Sequence, residues 1–163
     1  MSLETKLTKH LHSEIDRLRK CFPEDQQRSA VIGALHAAQH DNEGYLTTEI
    51  MDAVALELNM HPMEVYEVAT FYSMFNTQPV GRHNVAICTN ISCMLRGAEE
   101  IVEHVEEKLG IETGASTDDG RIFLKREEEC LAACCDAPMM MVDHRYYENL
   151  TKQRVDEILD GLE

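Results

Sequence analysis

The sequence predicts an α+β protein in two parts, a helical bundle over residues 1–80 and a compact α/β domain over residues 81–163. Three observations lead there. Apolar residues recur at three- and four-residue intervals through the first half, the period of a helix that buries one face. Gln78-Pro79-Val80-Gly81 then interrupts with turn chemistry, and the residues beyond it alternate as a strand does. Cysteine divides the chain at the same place: Cys21 lies before residue 81, and the other five thiols lie after it.

Each element follows from its residues. Ser13–Lys20 puts Ile15 and Leu18 on one face, and Phe22-Pro23 ends that segment. Val31, Leu35 and Ala38 give Gln27–His40 a helical stripe, closed by the turn Asn42-Glu43-Gly44. Thr47 or Thr48 can cap a helix carrying Ile50, Val54 and Leu58, and Asn59 suits a left-handed exit. Pro62 fits the first position of a further helix whose stripe is Val65, Ala69 and Tyr72. Past the turn, His83–Cys88 alternates Val85 and Ile87 with Asn84 and Ala86. Gly97–Leu109 is an amphipathic helix, with Ala98, Ile101, Val102, Val105 and Leu109 inward and Gly110 closing it. Glu112–Gly120 reads as a loop, Arg121–Lys125 and Met139–Asp143 as short strands, and Thr151–Leu162 as a closing helix. Strand, helix, strand, strand, helix in so few residues is a small layered domain.

Composition narrows the function. The 44% hydrophobic and 28% charged content is that of a soluble globular chain. Thirty acidic residues against fifteen basic give a formal charge of −15, which argues against binding nucleic acid through its phosphates. MSLETKLTKHLHSEIDRLRK lacks the apolar core of an export signal, and no apolar run approaches membrane-spanning length. A cytoplasmic chain is therefore expected, and in a reducing compartment six cysteines call for metal, redox chemistry or burial in place of disulfides. There is no Gly-rich phosphate loop, dinucleotide fingerprint or GxSxG elbow, and CTNISC has the wrong gap for a CxxC redox pair.

The cysteines carry the chemistry. Cys88 and Cys93 enclose four residues; Cys130 and Cys134, after a gap of thirty-six residues, enclose three. Two close pairs brought together by a fold make a four-thiolate site, suited to zinc or an iron–sulfur cluster and not to magnesium or calcium. A four-residue gap sits at the edge of the zinc-knuckle range and also opens the plant-type ferredoxin pattern. Spacing leaves both metals open, with iron–sulfur slightly ahead. The eight histidines are scattered, and none falls inside a cysteine pair, so no Rieske-type motif is present.

CTNISCMLRGAEEI followed by ECLAACCDAPMMMVD closely resembles the small 2Fe–2S subunit of bacterial and mitochondrial NADH:quinone oxidoreductase, respiratory complex I. QQRSAVIGALHAAQ and MDAVALELNMHPMEVYEVATFYSMFNTQPVGRH are similar to that subunit's helical leader, so the resemblance covers roughly residues 20–151. It implies a thioredoxin-like ferredoxin domain behind the helices. It implies one 2Fe–2S cluster, with Cys88 and Cys93 on one iron and Cys130 and Cys134 on the other. FMN and NADH would bind a partner flavoprotein subunit, against which the helical leader packs, within the peripheral arm on the inner face of the energy-transducing membrane (the matrix side in a mitochondrion). Relatives also serve NAD-linked hydrogenases and formate dehydrogenases; a reading from another class is a zinc-stabilised interaction module. Cys135, one past the last matched ligand, is expected to be a packed small residue, and Ala133 stands where the resemblance implies a glycine. Met94 and Met139–Met141 flank the ligand positions, where they can shield a cluster or simply fill a core.

Overall fold

The computed structural model describes residues 7–125 and 130–163; the opening MSLETK lies outside them. The chain divides into two compact units, the first ending at Pro79 and the second beginning at Val80.

The first unit is helical. Helix α1 (Lys9–Arg19) starts where the Thr8 side chain accepts a hydrogen bond from the Leu11 N–H, and it turns Leu11 and Ile15 inward. A 3₁₀ segment, Glu24–Ala30, leads into α2 (Val31–Asp41). The α-helix thus begins four residues later than its periodicity predicts, because Gln27–Ser29 carries no apolar side chain to bury. Thr47 caps α3 (Thr48–Glu57), and Asn59 makes the left-handed exit at φ 52°. At the start of α4 (Pro62–Phe71), His61 Nδ1 accepts from the Met63 N–H while Glu64 accepts from the His61 N–H. Ile15, Leu35, Leu46, Val54 and Val65 are fully buried at the centre of this unit.

The second unit is a five-stranded sheet in the order β2-β3-β1-β4-β5. Strand β1 (His83–Ile87) lies parallel to β3 (Ile122–Lys125) and antiparallel to β4 (Met140–Val142). Strand β2 (Ala115–Ser116) pairs with β3 on one side, and β5 (Arg145–Tyr147) with β4 on the other. Between β1 and β2 run a one-turn helix, α5 (Ile91–Met94), and α6 (Ala98–Leu109); α7 (Lys152–Asp160) follows β5. Ile101 and Val105 of α6 and Val155 and Leu159 of α7 meet Val85, Ile87, Ile122, Leu124, Met140 and Val142, so both helices cover one sheet face.

Within the sheet, three strands depart from the sequence expectation. Strand β2 lies inside the stretch expected to be loop, and two residues are too few to show a period. Strand β5 follows a two-residue turn in which Asp143 and His144 both have positive φ, 47° and 67°. That is the geometry hairpins favour, built here without the Asn-Gly pair that announces it. The central strand buries Ala86 as well as Val85 and Ile87, so its inner end is covered on both faces. Gly81 is required by contact: a Cβ there would stand 2.6 Å from the backbone carbon of Ile122. Among the described residues, no helix is long and apolar enough to cross a membrane.

Candidate metal centre

The two cysteine motifs meet at one end of the sheet, where β1 finishes and β4 begins. Ile87, the last residue of β1, faces Met140, the first of β4. Cys88 continues the ladder by one step, its N–H donating to the Met139 carbonyl at 3.1 Å. Cys93 sits in α5 immediately beyond. Both are 1% exposed. Cys130 and Cys134 are exposed, and Cys134 opens a short 3₁₀ turn, Cys134–Asp136, that precedes the cis Ala137–Pro138 bond.

The sulfurs interact pair by pair. Cys130 Sγ and Cys134 Sγ are 3.6 Å apart, and Cys88 lies within hydrogen-bonding reach of both Cys93 and Cys130. Burial, followed by the hydrogen bond with Cys88, pushes the Cys93 thiol up to about 11. The Ala132 N–H, 3.3 Å from Cys130 Sγ, holds the Cys130 thiol below its ordinary range, with the Cys134 hydrogen bond adding to the effect. Cys134 is pushed up, chiefly as the partner of Cys130, with a hydrogen bond from Ser92 opposing the shift. Among the described residues, no three His, Cys, Asp or Glu side chains close around a single ion. Two iron ions with bridging sulfides ask for something else, one thiolate pair per iron with a dry wall behind, and the donor set suits it.

Apolar side chains supply that wall. Cys88 and Cys93 pack with Ala98, Leu131, Ala137 and Met139 in a cluster of their own, with Ala133 and Met141 at its edge. The three consecutive methionines divide by strand alternation: Met139 and Met141 pack toward the thiols, and Met140 into the sheet–helix core. Met94 is 43% exposed and lies outside that cluster.

Two expectations are corrected. Cys135 is exposed, not packed, because the 3₁₀ turn at the rim holds it outside the apolar cluster. The glycine-like backbone belongs to Ala132, at φ 62°, whereas Ala133 has an ordinary φ of −114°. Sequence reasoning missed Ser92, which contacts Cys134 only because the fold lays one motif onto the other. The histidines have mundane partners: His83 bonds Asp143, His104 bonds Asp156, and His61 caps α4. Cys21 is exposed, its Sγ 3.6 Å from the Arg17 carbonyl.

The family model described as thioredoxin-like 2Fe-2S ferredoxin matches residues 15–163, both units together. The E subunit of the NADH-quinone oxidoreductase of Rickettsia bellii (strain RML369-C) is 40% identical over 98% of this chain and 98% of its own length. The mitochondrial NADH dehydrogenase (ubiquinone) flavoprotein 2 of Dictyostelium discoideum is 39% identical over 91% of this chain, which spans 60% of that protein. Among solved structures, an NAD+-reducing NiFe-hydrogenase in the air-oxidized state matches 77% of this chain and 22% of its own chain, with a TM-score of 0.65 at 20% identity. That last likeness speaks for the fold.

Proposed function

The chain belongs to the thioredoxin-like 2Fe-2S ferredoxin family, among the E-type subunits of NADH-quinone oxidoreductase, and from that premise we propose that it is the electron-transfer subunit of such an enzyme. It has no complete active site of its own: NADH and flavin bind a partner flavoprotein, and this chain exchanges single electrons with that flavin. A single 2Fe–2S cluster, when bound, supplies the one-electron acceptor and donor.

The protein's part is to hold and tune. Cys88 and Cys93, which are buried, would hold one iron, and Cys130 and Cys134, which are exposed, would hold the other. Ala132 donates its N–H to Cys130 Sγ, a bond that favours the more negatively charged, reduced site and raises its potential. Leu131, Met139 and Ala98 exclude water behind the buried pair. The helical region, residues 1–80, packs against the flavoprotein, while residues 81–163 carry the cluster. Through the flavoprotein and the other components of the peripheral arm, the chain is held at the inner face of the energy-transducing membrane.

The observation that carries this reading is the meeting of two distant cysteine pairs at one end of the sheet, in a chain alike along its whole length to relatives of the E type. Serine at Cys88, Cys93, Cys130 or Cys134 should abolish most of the bound iron and sulfide, because each change removes a thiolate. Cys135→Ser should retain both in full. A Cys135→Ser protein without cluster, beside a Cys134→Ser protein that stays coloured, would reverse the ligand assignment.

A further inference from the structure

Residues 130–136 fold back on themselves, and the bend aims two of their three thiols at each other. Leu131 is buried in the apolar cluster behind the site, which pins one side of the loop. Ala132, at φ 62°, then turns the chain, and its N–H donates to Cys130 Sγ. The far side is pinned too. Buried Ala137 follows the 3₁₀ turn, and Asn149 holds Asp136 twice, its N–H donating to the carbonyl at 2.7 Å and its side-chain amide to the carboxylate at 3.2 Å. Between these anchors Cys130 Sγ and Cys134 Sγ lie 3.6 Å apart, and both residues are exposed.

A disulfide holds its sulfurs at about 2.05 Å, so an approach of about 1.6 Å, shared between two exposed side chains, closes the gap. The neighbouring thiols are worse placed. Cys134 and Cys135 follow each other in a 3₁₀ turn, where successive side chains point about 120° apart. Cys88 and Cys93 are buried, out of reach of an oxidant in solution. We infer that Cys130 and Cys134 form a reversible oxidation site of the cluster-free chain. A low-molecular-weight disulfide such as glutathione disulfide converts them into an intrachain disulfide that metal cannot enter until it is reduced. The inference rests on the ligand assignment above, which gives the same two sulfurs to the exposed iron. One sulfur, as thiolate, attacks the small disulfide and releases a first glutathione; the other attacks the mixed disulfide and releases the second. Two cysteine thiols are oxidised, one glutathione disulfide is reduced to two thiols, and the two protons leave with them. In a reducing compartment such a bond is transient, and it keeps two exposed thiols from passing on to irreversible sulfinic acid.

The full-length chain, stripped of metal by chelation without air, is treated with excess glutathione disulfide. Its remaining thiols are then alkylated, and the product is mapped by non-reducing mass spectrometry. A link from Cys130 to Cys134 is expected in most chains, with Cys88 and Cys93 unlinked. After desalting, the linked chain should lose most of the thiolate absorption that the reduced chain gives with cobalt(II), standing in for iron. Reduction and a second desalting should restore it. Cys135→Ser should link as fast as the wild type, and Cys130→Ser should end as a stable glutathione adduct on Cys134. A dominant link from Cys134 to Cys135, or from Cys88 to Cys93 or Cys130, would overturn the inference. So would stable glutathione adducts on both Cys130 and Cys134, or a linked chain that keeps the full cobalt(II) absorption. The cluster-loaded chain tests the ligand assignment separately: alkylation of Cys130 or Cys134 with iron and sulfide retained in full would overturn that assignment, whatever the cluster-free chain does.

Discussion

Ala132 shows how the ligand loop constrains single residues. Its backbone is left-handed at φ 62°, a conformation that costs an L-residue about 1–2 kcal/mol, and that conformation accompanies the N–H contact to Cys130 Sγ. Glycine enters the same region freely but loses more entropy on folding, which returns part of the gain. Ala132→Gly is therefore expected to stabilise the protein by about 1 kcal/mol, read as a higher urea midpoint at unchanged slope. A lower midpoint would mean that the methyl group makes contacts worth more than the strain. At this scale the sequence singles out the four thiols proposed as ligands, since paired spacing and likeness depend only on order along the chain. It gave no sign of the left-handed backbone at Ala132, because a φ angle is set by how the loop closes on the opposite motif. Nor could it turn Cys135 outward or bring Ser92 to Cys134, both consequences of tertiary placement.

Among elements, the start of β1 is fastened by a polar clasp. His83 Nδ1 bonds Asp143 Oδ2 at 2.6 Å and Nε2 bonds the Glu163 carbonyl at 2.9 Å, while Asp143 Oδ1 accepts from the Asn84 N–H. The Asp143 carboxylate, with the Glu163 carbonyl behind it, raises the His83 pKa. A raised folded value means that the bound proton favours the native state. The stabilisation is complete below the unfolded pKa of about 6.5 and disappears as pH climbs through the folded value. His83→Gln should accordingly cost about 0.5–1 kcal/mol near pH 6 and distinctly less near pH 9, measured by denaturant unfolding of both proteins at each pH. A cost that grew with pH would contradict the clasp. The same region marks where element prediction stopped. Helices α1–α4, α6 and α7 were legible from their stripes and caps, and β1, β3 and β4 from apolar runs between turns. Strand β5 was not, because Asp143-His144 makes its hairpin turn without the usual residues, and β2 exists only through its pairing with β3.

Over the whole molecule, each unit closes its own apolar core, and Cys88 and Cys93 sit in a third, smaller cluster at the end of the sheet, with Cys130 and Cys134 exposed beside it. Stability and redox chemistry are thus assigned to different side chains, so ligand changes should empty the site before they unfold the domain. The order of a helical region and then an α/β sheet followed from composition and period alone. The cluster reading needed the resemblance, because spacing by itself left zinc open. The central claim is that this chain carries one cluster of two irons and two sulfides on two thiol pairs. The most direct measurement is iron, zinc and acid-labile sulfide per chain in anaerobically purified protein, with an electron paramagnetic resonance spectrum after dithionite reduction. The account predicts about two irons and two sulfides per chain, negligible zinc and a spin-half signal on reduction. One zinc per chain, no sulfide and no signal would contradict it.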